Sequence, residues 1–402
     1  MPPSQAALRT ALVTAMAFAH HKAQEKIAAD PAVSVWDWHA NFKSGNAVAE
    51  SENIVAETAE KIFADLADAQ TINRDEKGEW KAPLWQALSD AGLPLAWVGE
   101  DCGGSGASLA EGFSVLSAAG RFAVAVPLAE TMLAGWLLAQ AKIASPGDEM
   151  TVVPASPKDR ITVNADGSLS GRARGVPFAK VAKHLAVLAS DAKGDCSIAL
   201  VDTGKCRIES GLSLGGDPSD IVTLDKVQPI AIKPAPAGFD QTRLMLMGGV
   251  TRSLQIAGAL ESMLEISVRY SNERVAFEKK ISKFQAVQHN LARLAGESAA
   301  ALAAATSAAD AIANANSFDD EVFLEAVAAK IRCSEAAEKG GGIAHQVHGA
   351  IGFTIEHILH RYSLRALAWR DDFGSESYWA VELGKLVCKR GADELWPLVA
   401  SR

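Results

Sequence analysis

The stretch His345-Gln346-Val347-His348-Gly349-Ala350-Ile351-Gly352-Phe353-Thr354-Ile355-Glu356 decides how this chain is read. Upstream of it, Val322, Ala326, Ala329, Cys333, Ala336 and Gly340 recur at alternating four- and three-residue steps, one face of a helix whose contact residues are all small. Such a face lets a second helix approach closely. Gly349 and Gly352 then break the pattern, and the break has two readings. Glycines bare backbone N–H groups beside a helix end, which suits an anionic group such as a pyrophosphate. A C-capping glycine followed by an ordinary tight turn fits the same letters.

Around this stretch the last third of the chain is helical. Val250, Leu254, Ala257, Leu260, Leu264 and Val268 form one apolar face, Phe284, Val287, Leu291 and Leu294 a second, and Leu383, Leu386 and Val387 mark a last helix. Long helices with short breaks predict an antiparallel bundle over 235–402. The middle, 149–234, changes period. Short β-branched or apolar runs at 151–153, 160–163, 184–190, 196–202 and 220–227 alternate with turn formers such as Asp166-Gly167 and Gly215-Gly216-Asp217-Pro218, which predicts a small β-domain of hairpins closed by the prolines 229, 234 and 236. Helical periodicity returns in 51–148, where Val55, Ala59, Ile62, Leu66 and Ala69 mark a face. The glycine-rich run Gly99–Gly106 reads as a phosphate loop or as a connector between helices, and the absence of a P-loop lysine favours the connector. Residues 1–50 read as a weakly patterned N-terminal extension without recognisable chemistry. The fold class is therefore mainly α with a central β-domain.

Composition excludes some functions. A 402-residue chain with 49% hydrophobic and 22% charged residues has enough apolar content for two or three domains. Its formal charge of -9, without a basic patch, argues against a nucleic-acid partner and against an anionic membrane surface. The five cysteines are scattered, which suggests neither a zinc site nor a disulfide framework and fits a reducing cytoplasm. No signal peptide is read in the opening residues, and no apolar run reaches the roughly 18 residues of a membrane helix. The sequence therefore predicts a protein with no membrane and no metal site.

Three local patterns then join this order of parts. Arg274-Val-Ala-Phe277 followed by Gln285 resembles the R-x-x-F-G…Q segment of the acyl-CoA dehydrogenase family. Gln346-Val-His-Gly349-Ala-Ile-Gly352-Phe353 resembles its Q-x-x-G-G-x-G-[FY] segment, and Phe239-Asp240-Gln-Thr242-Arg243 its entry into the first bundle helix. The resemblance covers roughly residues 51–386. It implies an N-terminal helical domain, a middle β-barrel domain and a C-terminal four-helix bundle. It also implies FAD as cofactor, an acyl-CoA thioester as substrate of an α,β-dehydrogenation, and an electron-transfer flavoprotein-type acceptor. Assembly into a homo- or hetero-oligomer, a dimer or tetramer with flavin between subunits, is part of the same expectation. Arg274, Phe277, Gln285, Gln346, Gly349, Gly352 and Ser375 would then contact the cofactor, an arginine suiting a pyrophosphate and a phenyl ring an adenine.

The chain also departs from that family. The reaction requires a glutamate to take an α-proton. Where the resemblance puts this base, before Gly374 and Ser375, stands Phe373; the second seat that some members use, on the first bundle helix, corresponds to Thr242. Asp371, Asp372 and Glu376 lie beside the vacated seat, and Asp372 and Glu376 are the candidates for a relocated base. They read equally well as acids at a helix start. The backbone N–H of Phe373 remains a candidate donor to a thioester carbonyl. Glu278 replaces the glycine after Phe277, and no flavin-ring segment is visible in the middle domain. The combination resembles a divergent subgroup, among bacterial steroid side-chain acyl-CoA dehydrogenases, in which two unlike chains pair and one of them brings the base. A chain that has lost flavin chemistry altogether is the alternative.

Overall fold

Five helices open the folded part: α1 (Ile54–Leu66), α2 (Ala69–Arg74), α3 (Lys81–Asp90), α4 (Leu109–Arg121) and α5 (Leu128–Gln140). The computed structural model describes residues 53–75, 77–315 and 317–400, so the N-terminal extension read over 1–50 lies outside the described residues. Residues 54–383 form one compact unit; residues 384–400 belong to a second, whose described part is the end of one helix and the short helix after it. The start of α4 is fixed by a reciprocal cap. Ser108 Oγ accepts the Glu111 N–H (3.2 Å), and Glu111 Oε2 accepts the Ser108 N–H (2.8 Å). The glycine-rich run before it is a connector, a single 3-10 turn at Glu100–Cys102 and a loop.

Eight strands follow: β1 (Met150–Val153), β2 (Arg160–Val163), β3 (Leu169–Pro177), β4 (His184–Ser190), β5 (Cys196–Asp202), β6 (Arg207–Glu209), β7 (Ser219–Val227) and β8 (Ala231–Pro234). They form one mixed sheet in the order β6-β7-β3-β2-β4-β5-β8, with β1 joined to β4. Hairpins alone do not build it. β1 runs parallel to β4, with Met150 opposite His184 and Val153 opposite Val187, so the chain crosses over between them. Both faces of the centre are covered. Along β4, Leu185, Val187 and Ala189 enter the core of the β-domain, whereas Ala186 and Leu188 join the helical core.

The bundle consists of α6 (Gln241–Glu273), α7 (Gln285–Asn314), α8 (Asp320–His348), α9 (Leu359–Asp371) and the first part of α10 (Glu376–Arg390), with a small hairpin of β9 (Val275–Ala276) and β10 (Lys279–Lys280) between α6 and α7; α11 (Leu395–Ala400) follows α10 in the chain. Asp240 caps α6 by accepting the Arg243 N–H at 3.1 Å. At 33 residues α6 is about 50 Å long at 1.5 Å per residue, and α4, α7, α8 and α9 surround it. Small residues make the crossings close. A Cβ added at Gly258 would lie 2.3 Å from the Ser117 carbonyl oxygen, and one at Gly340 would lie 2.5 Å from Leu260 Cδ2 and 3.2 Å from Leu294 Cδ1. The small face of α8 thus meets α6 and α7 together. Among the described residues no helix is long and apolar enough to cross a membrane.

Because the atom facing Gly258 is backbone, an alanine there has to move a helix rather than a side chain. Gly258→Ala is expected to destabilise the protein by about 1–3 kcal/mol, the usual cost of overpacking. Urea unfolding checks it, and an unchanged midpoint contradicts so close a crossing.

Candidate functional site

Phe373 occupies the turn between α9 and α10. It is a buried non-glycine residue in the left-handed region (φ 55), a conformation costing about 1–2 kcal/mol. Specific contacts hold it there. Its N–H donates to the Ala155 carbonyl at 3.2 Å, its carbonyl accepts the Trp379 indole N–H at 3.1 Å, and its ring lies against Gly248, where an added Cβ would come within 2.4 Å. With 1% of its surface exposed, the ring fills the seat. Two expectations are corrected here. The amide at 373 is not open to a thioester carbonyl, since Ala155 takes it. The α6 residue that faces the seat is Gly248, six positions beyond the exposed Thr242, and it carries no side chain.

Beneath the ring lies a group of buried charges. The Arg252 guanidinium donates from Nη2 to Glu130 Oε1 of α5 (2.6 Å), from Nη1 to Gln255 Oε1 (2.6 Å) and from Nε to Asp372 Oδ2 (2.9 Å). Its carbon also stands 5.8 Å from the Phe373 ring centroid and 5.9 Å from that of Trp369. Burial works against this charge, but Glu130 and Asp372 outweigh it and hold the guanidinium more firmly protonated than usual. Lys330, 1% exposed on α8, donates from Nζ to the Trp369 carbonyl at 2.7 Å, and burial pushes its ammonium down to about 8. The candidate acids differ in their surroundings. Asp372 gives its carboxylate to Arg252, Asp371 is exposed beside Arg370, and Glu376, half-buried in the first turn of α10, has a buried Oε2 with no hydrogen-bond partner.

The residues assigned to the cofactor fall into three groups. Arg274 ends α6, Phe277 is 89% exposed at the tip of the β9–β10 hairpin, and Gln285 begins α7; the Ile281 N–H closes this unit by donating to the Arg274 carbonyl at 2.9 Å. Phe277 (φ 51) and Glu278 (φ 65) both sit in the left-handed region, as the two central residues of a type I′ hairpin turn require. Gln346, Gly349 and Gly352 lie on the last turn of α8 and the 3-10 turn after it. The ring of Tyr270, four residues before Arg274, stacks on His348 at 4.5 Å and so joins the two groups. Ser375 stands apart at the head of α10, where its hydroxyl accepts the Tyr378 N–H (3.4 Å).

The bare-backbone reading of the glycines needs correction as well. Gly349 (φ 66) donates its N–H to the His345 carbonyl as a helix cap, and Gly352 is buried, with room for no more than hydrogen because an added Cβ would meet His348 Cβ at 2.9 Å. What the site leaves available is the open surface over Gly349, where nothing lies within 4 Å of an added Cβ, together with the exposed side chains of Arg274, Phe277, Gln285 and Gln346. These residues suit the adenosine and diphosphate end of a dinucleotide. They supply no reacting end. The sequence reading missed Arg252, Glu130, Lys330 and Gly248, although the first three were marked by single charges inside otherwise apolar runs.

A helical domain, a mixed sheet and a helical bundle in this order, with the motif residues at one end of the bundle, define the acyl-CoA dehydrogenase fold. Residues 237–376 match the family model of the acyl-CoA dehydrogenase C-terminal domain. The chain is 26% identical over 364 residues to the acyl-CoA dehydrogenase IpdE2 of Mycobacterium tuberculosis, covering 86% of this chain and 98% of that protein. Among solved structures, a chain of the ChsE4–ChsE5 complex from Mycobacterium tuberculosis superposes with a TM-score of 0.75 at 20% identity, over 86% of this chain and 99% of the other. Butyryl-CoA dehydrogenase from Megasphaera elsdenii does so with a TM-score of 0.71 at 20% identity, over 83% and 97%. Residues 237–376 thus carry the features of an acyl-CoA dehydrogenase C-terminal domain, and the chain as a whole is similar to acyl-CoA dehydrogenases.

Removing one member of the buried ion group leaves the others charged and unpaired. Arg252→Met is therefore expected to lower stability by about 3–5 kcal/mol. Chemical denaturation measures it, and a loss below about 1 kcal/mol would show that the group does not hold the turn.

Proposed function

We propose that the chain is an FAD-clasping subunit of an acyl-CoA dehydrogenase, acting in the α,β-dehydrogenation of an acyl-CoA thioester beside a partner chain that supplies the base. The observation that carries this reading is Phe373. A phenyl ring cannot take a proton, and this one is buried against Gly248 with both its backbone groups engaged. Seats for a carboxylate at 373 and on the facing turn of α6 are therefore both closed. Asp372 and Glu376 do not replace it in this reading, the first being bound to Arg252 and the second lying at the start of α10.

The contribution of this chain is binding. Arg274 would pair with pyrophosphate oxygens, Phe277 would lay its ring against adenine, and Gln285 and Gln346 would donate side-chain hydrogen bonds. The surface over Gly349 gives a dinucleotide room to approach, and the Ser375 hydroxyl stands at the head of α10 as a further donor. FAD, if bound there, would supply the acceptor for the hydride leaving the β-carbon, while a base on the partner would take the α-proton. Phe373 and the buried ion group keep water and substrate out of this chain's own seat. Because the clasping side chains are exposed in the single chain, a second chain has to cover the nucleotide, which favours an oligomer. Electrons would leave through an electron-transfer flavoprotein-type acceptor, and five free cysteines favour a cytoplasmic setting.

One observation supports a second reading, a partner subunit without flavin. Glu278 places an exposed carboxylate next to Phe277, where it would repel a diphosphate. Flavin content separates the two readings. Purified alone, the chain is expected to carry little FAD and to show no turnover; co-expressed with its partner it should carry FAD, and Arg274→Ala in the complex should weaken FAD binding by about tenfold or more, from the ~1.5–3 kcal/mol of a charge-assisted hydrogen bond. Stoichiometric FAD with turnover by the lone chain contradicts the proposal, and a flavin-free complex supports the second reading.

A further inference from the structure

Four imidazoles gather where α8 ends and α9 begins. His348, 4% exposed, is held between Tyr270 (ring centroids 4.5 Å) and His357 (4.7 Å). Its Nδ1 lies 2.8 Å from the Ala344 carbonyl oxygen and so carries the hydrogen, which leaves Nε2 buried with no partner. His345 stacks on Phe353 at 4.3 Å and shares a hydrogen with Ser363 Oγ through Nε2 (2.9 Å), while its Nδ1 is also buried and unpartnered. His357 Nδ1 accepts the Leu359 N–H at 3.2 Å, and His360 Nδ1 donates to the His357 carbonyl at 2.6 Å. Between these rings runs the Gly349–Phe353 turn.

We propose that this four-histidine cluster is an acid-sensitive latch, which holds the Gly349–Gly352 turn against α6 while its rings are neutral and releases the turn when they take up protons. The geometry makes a second proton unwelcome. On His348 it would create a buried N–H with no acceptor and a charge 4.7 Å from the next imidazole. The groups facing the cluster do not compensate it. From α6 come Tyr270 and Arg269, and from α9 Arg361, Tyr362 and Ser363; Arg365 is already paired with Asp217. Glu356 lies in the loop itself and Asn73 of α2 donates to the carbonyls of Ile355 and Glu356. Among the described residues the only histidine ion pair with a carboxylate is His184 with Asp148, in the β-domain.

The titration follows this geometry. Burial pushes His348 down to about 4 and also lowers His345 and His357, with help from His360 and Arg269 respectively, against the Ala344 and Gly352 backbone groups, which favour protonation of His348 and His345. Rings that bind protons less readily in the closed state stabilise it fully above the unfolded imidazole value of about 6.5, and lose that contribution as pH falls from there towards 4. For His348 alone, a pKa of about 4 against about 6.5 opens the turn about thirtyfold more at pH 5.0 than at pH 7.5. That the freed turn matters for a nucleotide rests on the clasp reading above.

Hydrogen–deuterium exchange of the full-length chain without nucleotide tests the latch. After correction for intrinsic rates, peptides covering 345–360 are expected to lose protection by about thirtyfold or more at pH 5.0, while the middle of α6 stays protected. His348→Phe, which keeps the stacked ring, and His348→Gln, which keeps a donor for the Ala344 carbonyl, should each shrink that step at least about tenfold. No excess exchange in this segment, an unchanged step in both variants, or simultaneous opening of α6 would overturn the latch. FAD titration of the chain co-expressed with its partner, at both pH values, keeps the two ideas apart. An acid step without FAD binding leaves the latch standing and removes the clasp, whereas FAD binding without an acid step does the reverse.

Discussion

The Arg252 guanidinium is the constraint on which much of the molecule depends. A buried cation of this size is tolerated only with partners in the right places, and it takes them from three segments: Glu130 in α5, Gln255 in α6 and Asp372 in the turn before α10. Fixing Asp372 fixes Phe373, whose strained backbone is then closed by Ala155 and Trp379. Lys330 adds a second buried cation bonded to the last turn of α9. The turn that carries a base in enzymes of the resembling type is built here as packing.

Much of the fold was legible because burial leaves a period in the sequence. The small face ending at Gly340 announced a close helix crossing, and Gly340 does lie against Leu260 and Leu294. Five strands could be read from β-branched runs, but β3 hid behind two arginines, two glycines and two bulges. β8 was hidden for a simpler reason. It is an edge strand, so it can end in Pro234 without losing a ladder bond.

The site was legible only in part, and for the same physical reasons. Arg274, Phe277, Gln285 and Gln346 are exposed, so nothing in the core dictates their identity and their spacing stands out. Arg252 and Lys330 were read as interruptions of apolar faces, since a sequence shows that a charge lies on a buried face but not which partner meets it. The mistaken second seat, Thr242 instead of Gly248, has a related origin. Helical period gives the face of α6 but not the depth at which another turn crosses it.

Exposed candidate binding residues and a closed seat fit the proposed division of labour, in which one chain would hold a nucleotide and another would do the acid–base work. The claim at the centre of this account is that the chain has no working base of its own. Exchange of α-deuterium from a labelled acyl-CoA thioester, followed by mass spectrometry with the lone chain in the presence of added FAD, tests it most directly. The account predicts no wash-out above the buffer rate. Wash-out at an enzymatic rate would contradict it.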